Sequence, residues 1–108
     1  MLNELFFSIV IPAHNEEGSI ASTCEAILSR FKQDSIDDYE LLVVNDNSSD
    51  RTESILKELS AQYPSIRYVN NEPPHGFGFA VQRGLREFRG QSVAIVMAVA
   101  SRSSLRVA

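Results

Sequence analysis

Short apolar runs alternate along this chain with stretches in which apolar residues recur every three or four positions. Leu5-Phe6-Phe7-Ser8-Ile9-Val10-Ile11 is β-branched and aromatic, the composition of a strand buried on both faces, and Pro12 is expected to end it. Asn15, Glu16 and Glu17 then suit a helix N-terminus, as a cap followed by first-turn acids. Ile20, Cys24, Ile27, Leu28 and Phe31 fall on one helical face, and Asp34 to Asp38 is a polar turn. The unit then repeats. Tyr39 to Val44 reads as a second strand, and Asn45 to Asp50 as a turn-forming loop. Ser49 or Asp50 is expected to cap a helix whose apolar face is Ile55, Leu56, Leu59 and Tyr63, stopped by Pro64. Ile66 to Val69 is a third strand, Asn70 to His75 a loop, and Gly76 to Phe88 a helix weakened by its glycines. Val93 to Val99 is a fourth strand.

Strands that alternate with helices imply an α/β fold, a Rossmann-like parallel sheet of about four strands with right-handed crossovers. In such sheets ligands bind beyond the C-terminal ends of the strands, at helix N-termini. Here those places are Pro12 to Glu17, Asn45 to Asp50, Pro74 to Gly78, and Val99 onward. The first three are dense in polar residues or glycine. The fourth is not.

Composition narrows the classes of function. The 108 residues suit one small domain, and 44% hydrophobic with 22% charged residues describes a globular chain rather than a disordered one. Ten basic against fourteen acidic side chains, net −4, argue against a sequence-independent nucleic-acid partner, which needs a basic face. The lone Cys24 sits on the apolar helix face as a core residue, excluding an internal disulfide and a multi-cysteine zinc site. Met1 to Val10 carries no Lys or Arg, and the apolar run Val93 to Ala100 is too short to span a bilayer. A cytoplasmic location without a transmembrane segment is the expectation. Every Asp and Glu lies at or before Glu87, so the last stretch of chain is compositionally distinct.

Three segments together resemble the nucleotide-binding half of family 2 glycosyltransferases, which have the GT-A fold. Ser8-Ile9-Val10-Ile11-Pro12-Ala13-His14-Asn15-Glu16-Glu17 is similar to the family's opening strand, ending Pro-x-Tyr/His-Asn-Glu. Leu42-Val43-Val44-Asn45-Asp46-Asn47-Ser48-Ser49-Asp50 is similar to its strand ending Val-Asp/Asn-Asp-Gly/Asn-Ser-x-Asp. His75-Gly76-Phe77-Gly78-Phe79-Ala80, with Gly84, resembles its Gly-x-Gly-x-Ala helix start. The resemblance runs from about Phe7 to Met97 and includes the dolichol-phosphate-type sugar transferases. It assigns residues 1–98 to the nucleotide-sugar half and 99–108 to a divergent or truncated tail.

The resemblance implies a UDP- or GDP-sugar as partner, weakly bound if at all. By it, Glu16 faces the ribose, Asp46 the nucleobase or ribose, and the Pro12-Ala13-His14 backbone walls the base. Asn15 and Asn45 complete the strand-end motifs. Gly76 and Gly78 permit close backbone approach to the sugar diphosphate, and Arg83 is placed within reach of a phosphate. Each residue type also has a plainer role. Asn15 and Glu16 serve equally as a cap and a dipole-favoured acid, Asp46 and Asp50 as turn and cap residues, and Gly76 and Gly78 as turn formers. His14 and His75 are read as loop-wall residues rather than metal ligands, and Arg86, Glu87 and Arg89 as a solvated face.

The resemblance breaks at the fourth strand end. There the family carries an Asp-x-Asp-like motif whose carboxylates hold Mg²⁺ or Mn²⁺ against the diphosphate. Here the chain reads Val96-Met97-Ala98-Val99-Ala100-Ser101-Arg102, with Val99 at the expected Asp and Arg102 at the following acid. No catalytic residue and no metal ligand is therefore assigned, and no cofactor is expected in this chain, whereas an intact relative needs the divalent ion. The acceptor half and the general base it supplies in inverting members are not represented. The chain alone is expected to be inactive, an incomplete glycosyltransferase that exposes a sheet edge through which it self-associates. The alternative is a non-catalytic nucleotide-binding or partner-completed module. A dinucleotide-dependent oxidoreductase fails on spacing, because Gly76-x-Gly78 follows the third strand rather than the first. A sugar nucleotidyltransferase needs a basic loop after the first strand, and Pro12 to Gly18 contains no Lys or Arg.

Overall fold

In the computed structural model, which describes residues 6–98 and 106–107, five strands and three helices alternate along the chain. They are β1 (Phe7–Ala13), α1 (Ile20–Gln33), β2 (Tyr39–Asn45), α2 (Thr52–Gln62), β3 (Ile66–Asn70), α3 (Phe77–Glu87), β4 (Ser92–Met97) and β5 (Arg106–Val107). The sheet order is β3-β2-β1-β4-β5, and the first four strands are parallel. The parallel α/β sheet expected from the alternation is therefore what forms. Because the order reverses at β1, the crossover carrying α3 runs opposite to those carrying α1 and α2. Constant handedness then puts α3 on the other face.

The side-chain alternation of the strands divides the core accordingly. On one face Ile9, Ile11, Leu41, Val43 and Ile66 bury Ile20, Cys24 and Ile27 of α1 and Leu56 and Leu59 of α2. On the other, Val10, Leu42 and Val44 pack with Ala80 of α3. Each fully buried aliphatic side chain contributes about 1.5–3 kcal/mol. Burial, with a smaller push from the Glu25 charge, raises the Cys24 thiol to about 12, in keeping with an inert core position. Phe7, Phe31 and Tyr39 close the end of this core with ring centroids 4.6–6.3 Å apart, Phe31 meeting the other two edge to face. Gly84 in mid-α3 is a packing requirement, since a Cβ there would overlap the Val10 side chain.

Four local expectations are corrected. Pro12 does not end β1; it pairs in register with Val44 and the strand continues to Ala13. The Ala13 carbonyl accepts the Asp46 amide on the β2 side, so Pro12's backbone faces the β4 side, where the ladder has already stopped at Val10. Asn15, Glu16 and Glu17 are not the cap and first turn of α1, which begins at Ile20 with no acid in its first turn. Asn15 instead takes a left-handed φ of 53°, which Asn tolerates, and turns its side chain to the next loop. Arg86 and Arg89 are exposed as expected, but Glu87 is only half solvated: it accepts Arg83 Nε at 3.0 Å, and its carbonyl accepts from Arg67. Finally, the tail carries the short strand β5, antiparallel to β4, which the sequence does not announce. Val99 and Arg102, the positions of the expected metal motif, lie outside the described residues.

Candidate functional site

The C-terminal ends of β1 and β2 carry two loops that are tied together side chain to backbone. Asn15 Oδ1 accepts the amides of Ser49 at 2.7 Å and Asp50 at 3.3 Å, while the Asn15 amide donates to Ser48 Oγ at 2.9 Å. The Glu16 amide donates to Thr52 Oγ1 at 2.8 Å, and Glu17 accepts the Arg51 amide at 2.9 Å. Asp50 Oδ1 accepts the Thr52 amide at 2.9 Å, so the expected capping role falls to Asp50, although Arg51 occupies the N-cap position. The first loop is thus fixed by the start of α2 as well as by its own helix, whose Ser19 and Ile20 amides donate to the Glu16 carbonyl.

A third loop is pinned to the same strand end. The Asn71 amide donates to the Asn45 carbonyl at 2.9 Å. Three donors then converge on the Asp46 carboxylate: Asn71 Nδ2 at 3.0 Å, His75 Nδ1 at 2.7 Å and the Gly76 amide at 2.7 Å. Asp46 is only 4% exposed. Burial alone raises its pKa, but the bonds from Asn71, Gly76 and His75 outweigh it and hold the carboxyl below its ordinary range. Gly76 has φ of 134°, a region that side chains disfavour, and this turns the chain directly into α3.

Between these loops, on the α3 face of the sheet, lies a cleft of about 450 Å³. Pro12, Ala13, His14 and Glu16 line one side, Asp46 the floor, and His75, Gly76, Phe77 and Ala80 the other side. Six of the ten candidate residues are therefore brought together: Pro12, Ala13, His14, Glu16, Asp46 and Gly76. Four are not. Asn15 is engaged with the second loop. Asn45 points to the opposite face of β2, donating to Asn70 Oδ1 at 2.8 Å. Gly78 lies past the cleft, with open space where a Cβ would stand. Arg83 bonds Glu87 and the Asn70 carbonyl, both at 3.0 Å, and lines a separate groove beside Pro73 and Pro74.

His75, Phe77 and Ala80 line the cleft without having been singled out as binding residues. Phe77 is 56% exposed there, offering an apolar platform. His75 is paired with a residue 29 positions away, a contact with no local signature. No Lys or Arg among the described residues lines the cleft. Among the described residues, no three His, Cys, Asp or Glu side chains cluster in a way that would hold a metal ion. The donor set agrees, since Asp46 is engaged by three protein donors and Glu16 is the other carboxylate of the cleft. No helix among the described residues is long and apolar enough to cross a membrane.

The chain matches the family model described as glycosyl transferase family 2 over residues 8–98. It is 40% identical over 91 residues to the probable glycosyltransferase YdaM of Bacillus subtilis, a match covering 82% of this chain and 21% of that protein. A dolichyl-phosphate beta-glucosyltransferase of Trichomonas vaginalis is 32% identical over 96 residues, covering 85% of this chain and 30% of its own length. Among solved structures, glucosyl-3-phosphoglycerate synthase from Mycobacterium tuberculosis, in complex with Mn²⁺, UDP and glucosyl-3-phosphoglycerate, superposes with a TM-score of 0.66. Its identity is 28%, over 86% of this chain and 33% of that one. The chain spans about a fifth to a third of the length of these relatives.

Proposed function

Because the chain belongs to glycosyl transferase family 2, we propose that its cleft is the nucleotide pocket of a sugar-transfer site for a UDP- or GDP-sugar. The observation that carries this is the convergence of the β1 end, the buried Asp46 and the α3 N-terminus on one opening of about 450 Å³. The flat Pro12-Ala13 backbone and Phe77 suit the faces of a base, and Glu16 suits ribose hydroxyls. Asn45, Gly78 and Arg83 take no part in this reading, and Asn15 takes part only by holding the first loop in place.

The M. tuberculosis relative binds Mn²⁺, and a divalent ion belongs to the reading of an intact relative, where it would neutralise the diphosphate. The donors of the described cleft do not fit such an ion, so no step of this reading runs through one. The chain by itself is then a cytoplasmic nucleotide binder that does not turn over a sugar nucleotide. Titration by calorimetry should give equal affinities for UDP and uridine, or for GDP and guanosine, because among the described residues no Lys or Arg lines the cleft to reward the diphosphate. Turnover of UDP-glucose or GDP-mannose by the purified chain would overturn the inactivity, and failure to bind either nucleoside would overturn the nucleotide reading.

A second reading is favoured by β4, where Val93, Ile95 and Met97, which alternate to one face, are only half buried. Such a face supports self-association or completion by a partner. Sedimentation showing a monomer at all concentrations would count against self-association.

A further inference from the structure

Two imidazoles line the cleft, and the hydrogen bonds of each make its Nδ1 a donor. His14 Nδ1 lies 2.7 Å from the Asp46 carbonyl oxygen, an acceptor, so Nδ1 must be the donor. Its Nε2 then faces Asn15 Nδ2 at 3.4 Å. The Asn15 amide cannot be turned round, because its Oδ1 already accepts the Ser49 and Asp50 amides. His14 is therefore engaged at both nitrogens. His75 Nδ1 lies 2.7 Å from Asp46 Oδ1, and an ionised carboxylate only accepts, so here too Nδ1 donates. Its Nε2 has no partner among the described residues, and in the neutral ring it carries a lone pair; a third of the His75 side chain is exposed.

Asp46 stands differently. A carboxylate offers about four acceptor positions. Three are taken by Asn71, His75 and Gly76, and the group is 4% exposed. A ligand donor that sought Asp46 directly would compete with these bonds in a buried space.

We infer that His75 is the residue that meets the nucleoside, and that Asp46 is its positioning residue. Asp46 holds the ring with Nδ1 protonated, and the bare Nε2 accepts a hydrogen bond from an N–H of the base or an O–H of the ribose. This rests on the nucleotide reading of the cleft given above. It makes His75 a specificity determinant: a nucleoside lacking the donor leaves Nε2 unpaired and binds less well.

The test uses the full chain labelled with ¹⁵N, uridine and guanosine as probes, and the ring-nitrogen resonances of both histidines. In the free chain His75 should show a protonated Nδ1 and a bare Nε2, and Asp46→Asn should disturb that pattern. Added nucleoside should shift the His75 Nε2 resonance and leave His14 Nε2 in place. His75→Phe, which keeps ring volume without an acceptor, should weaken binding about tenfold, and His75→Gln should recover part of the loss. Uridine methylated on its ring nitrogen and 2′-deoxyuridine separate the two donor sources. Whichever loses affinity for the wild type should lose none for His75→Phe. The opposite tautomer in the free chain overturns the inference. So does nucleoside binding with Nε2 unmoved, which leaves the nucleotide reading standing. Binding of neither probe by the wild type overturns both.

Discussion

Strand β2 carries a buried carboxylate near each end, and the two are built alike and used differently. Glu40 and Asp46 are 5% and 4% exposed and lie on the same face of the sheet, six residues or roughly 20 Å apart. Glu40 accepts from Ser8 Oγ at 2.6 Å, Arg67 Nε at 2.7 Å and the Arg89 amide at 2.8 Å. Asp46 also accepts from two side chains and one amide. At the N-terminal end the partners include the fixed positive charge of Arg67, and they join β1, β2, β3 and the segment after α3. At the C-terminal end the partners belong to one loop, and the carboxylate floors the cleft. The first cluster fastens layers together. The second shapes a loop and a histidine around an opening.

Acid acts on both clusters at once and should have the largest effect. Burial raises the pKa of each carboxyl, but the bonds it accepts prevail. Glu40, with Arg67 first among its donors, and Asp46 both lie below their ordinary values of 4.5 and 3.8. Stability from these groups is fully present above those values and is lost as the pH falls through the lower, folded ones. Circular dichroism during acid titration should show cooperative loss there, with a shallower dependence in the Glu40→Gln, Asp46→Asn double variant.

Glu40→Ala should then separate the clusters, because it strands Arg67 and two donors. Urea denaturation should show a loss of about 3 kcal/mol, the low end for breaking a buried pair since Arg67 reaches water, while nucleoside affinity of the folded fraction is unchanged. Asp46→Asn should cost less, about 1–3 kcal/mol, yet weaken nucleoside binding measured by calorimetry about tenfold, as losing the His75 acceptor does. Equal stability losses with equal binding losses would erase the distinction. Smallest is Ser8→Ala, about 1 kcal/mol, because Ser8 Oγ both donates to Glu40 and accepts the Gly90 amide; thermal melting reads it.

Much of the fold was legible because apolar periodicity changes cleanly from strand to helix. Ile20, Cys24 and Ile27 announce α1, as Leu56 and Leu59 announce α2. The misread positions turn on neighbours. Whether Pro12 ends a strand depends on which edge its missing amide faces, and Asn15 caps nothing in α1 because the Ser49 and Asp50 amides compete for it. The cleft follows the same division. Pro12, His14, Asp46 and Gly76 were readable as strand-end and helix-start positions. Asn45 and Arg83 were misplaced because a strand alternates its sides and a long side chain finds nearer partners. His75 needed a contact across 29 residues.

Pro12 has a consequence for how the cleft opens. From Val10 onward β1 keeps its bonds to β2 and parts from β4. An ordinary residue at position 12 would present an N–H into that parting, asking for water or for β4 to follow. Proline presents none, so the fork between the strands has no unmet donor pulling it shut. Pro12 also lines the cleft, so at that wall the end of β1 can stand clear of β4 without leaving an amide that needs a partner.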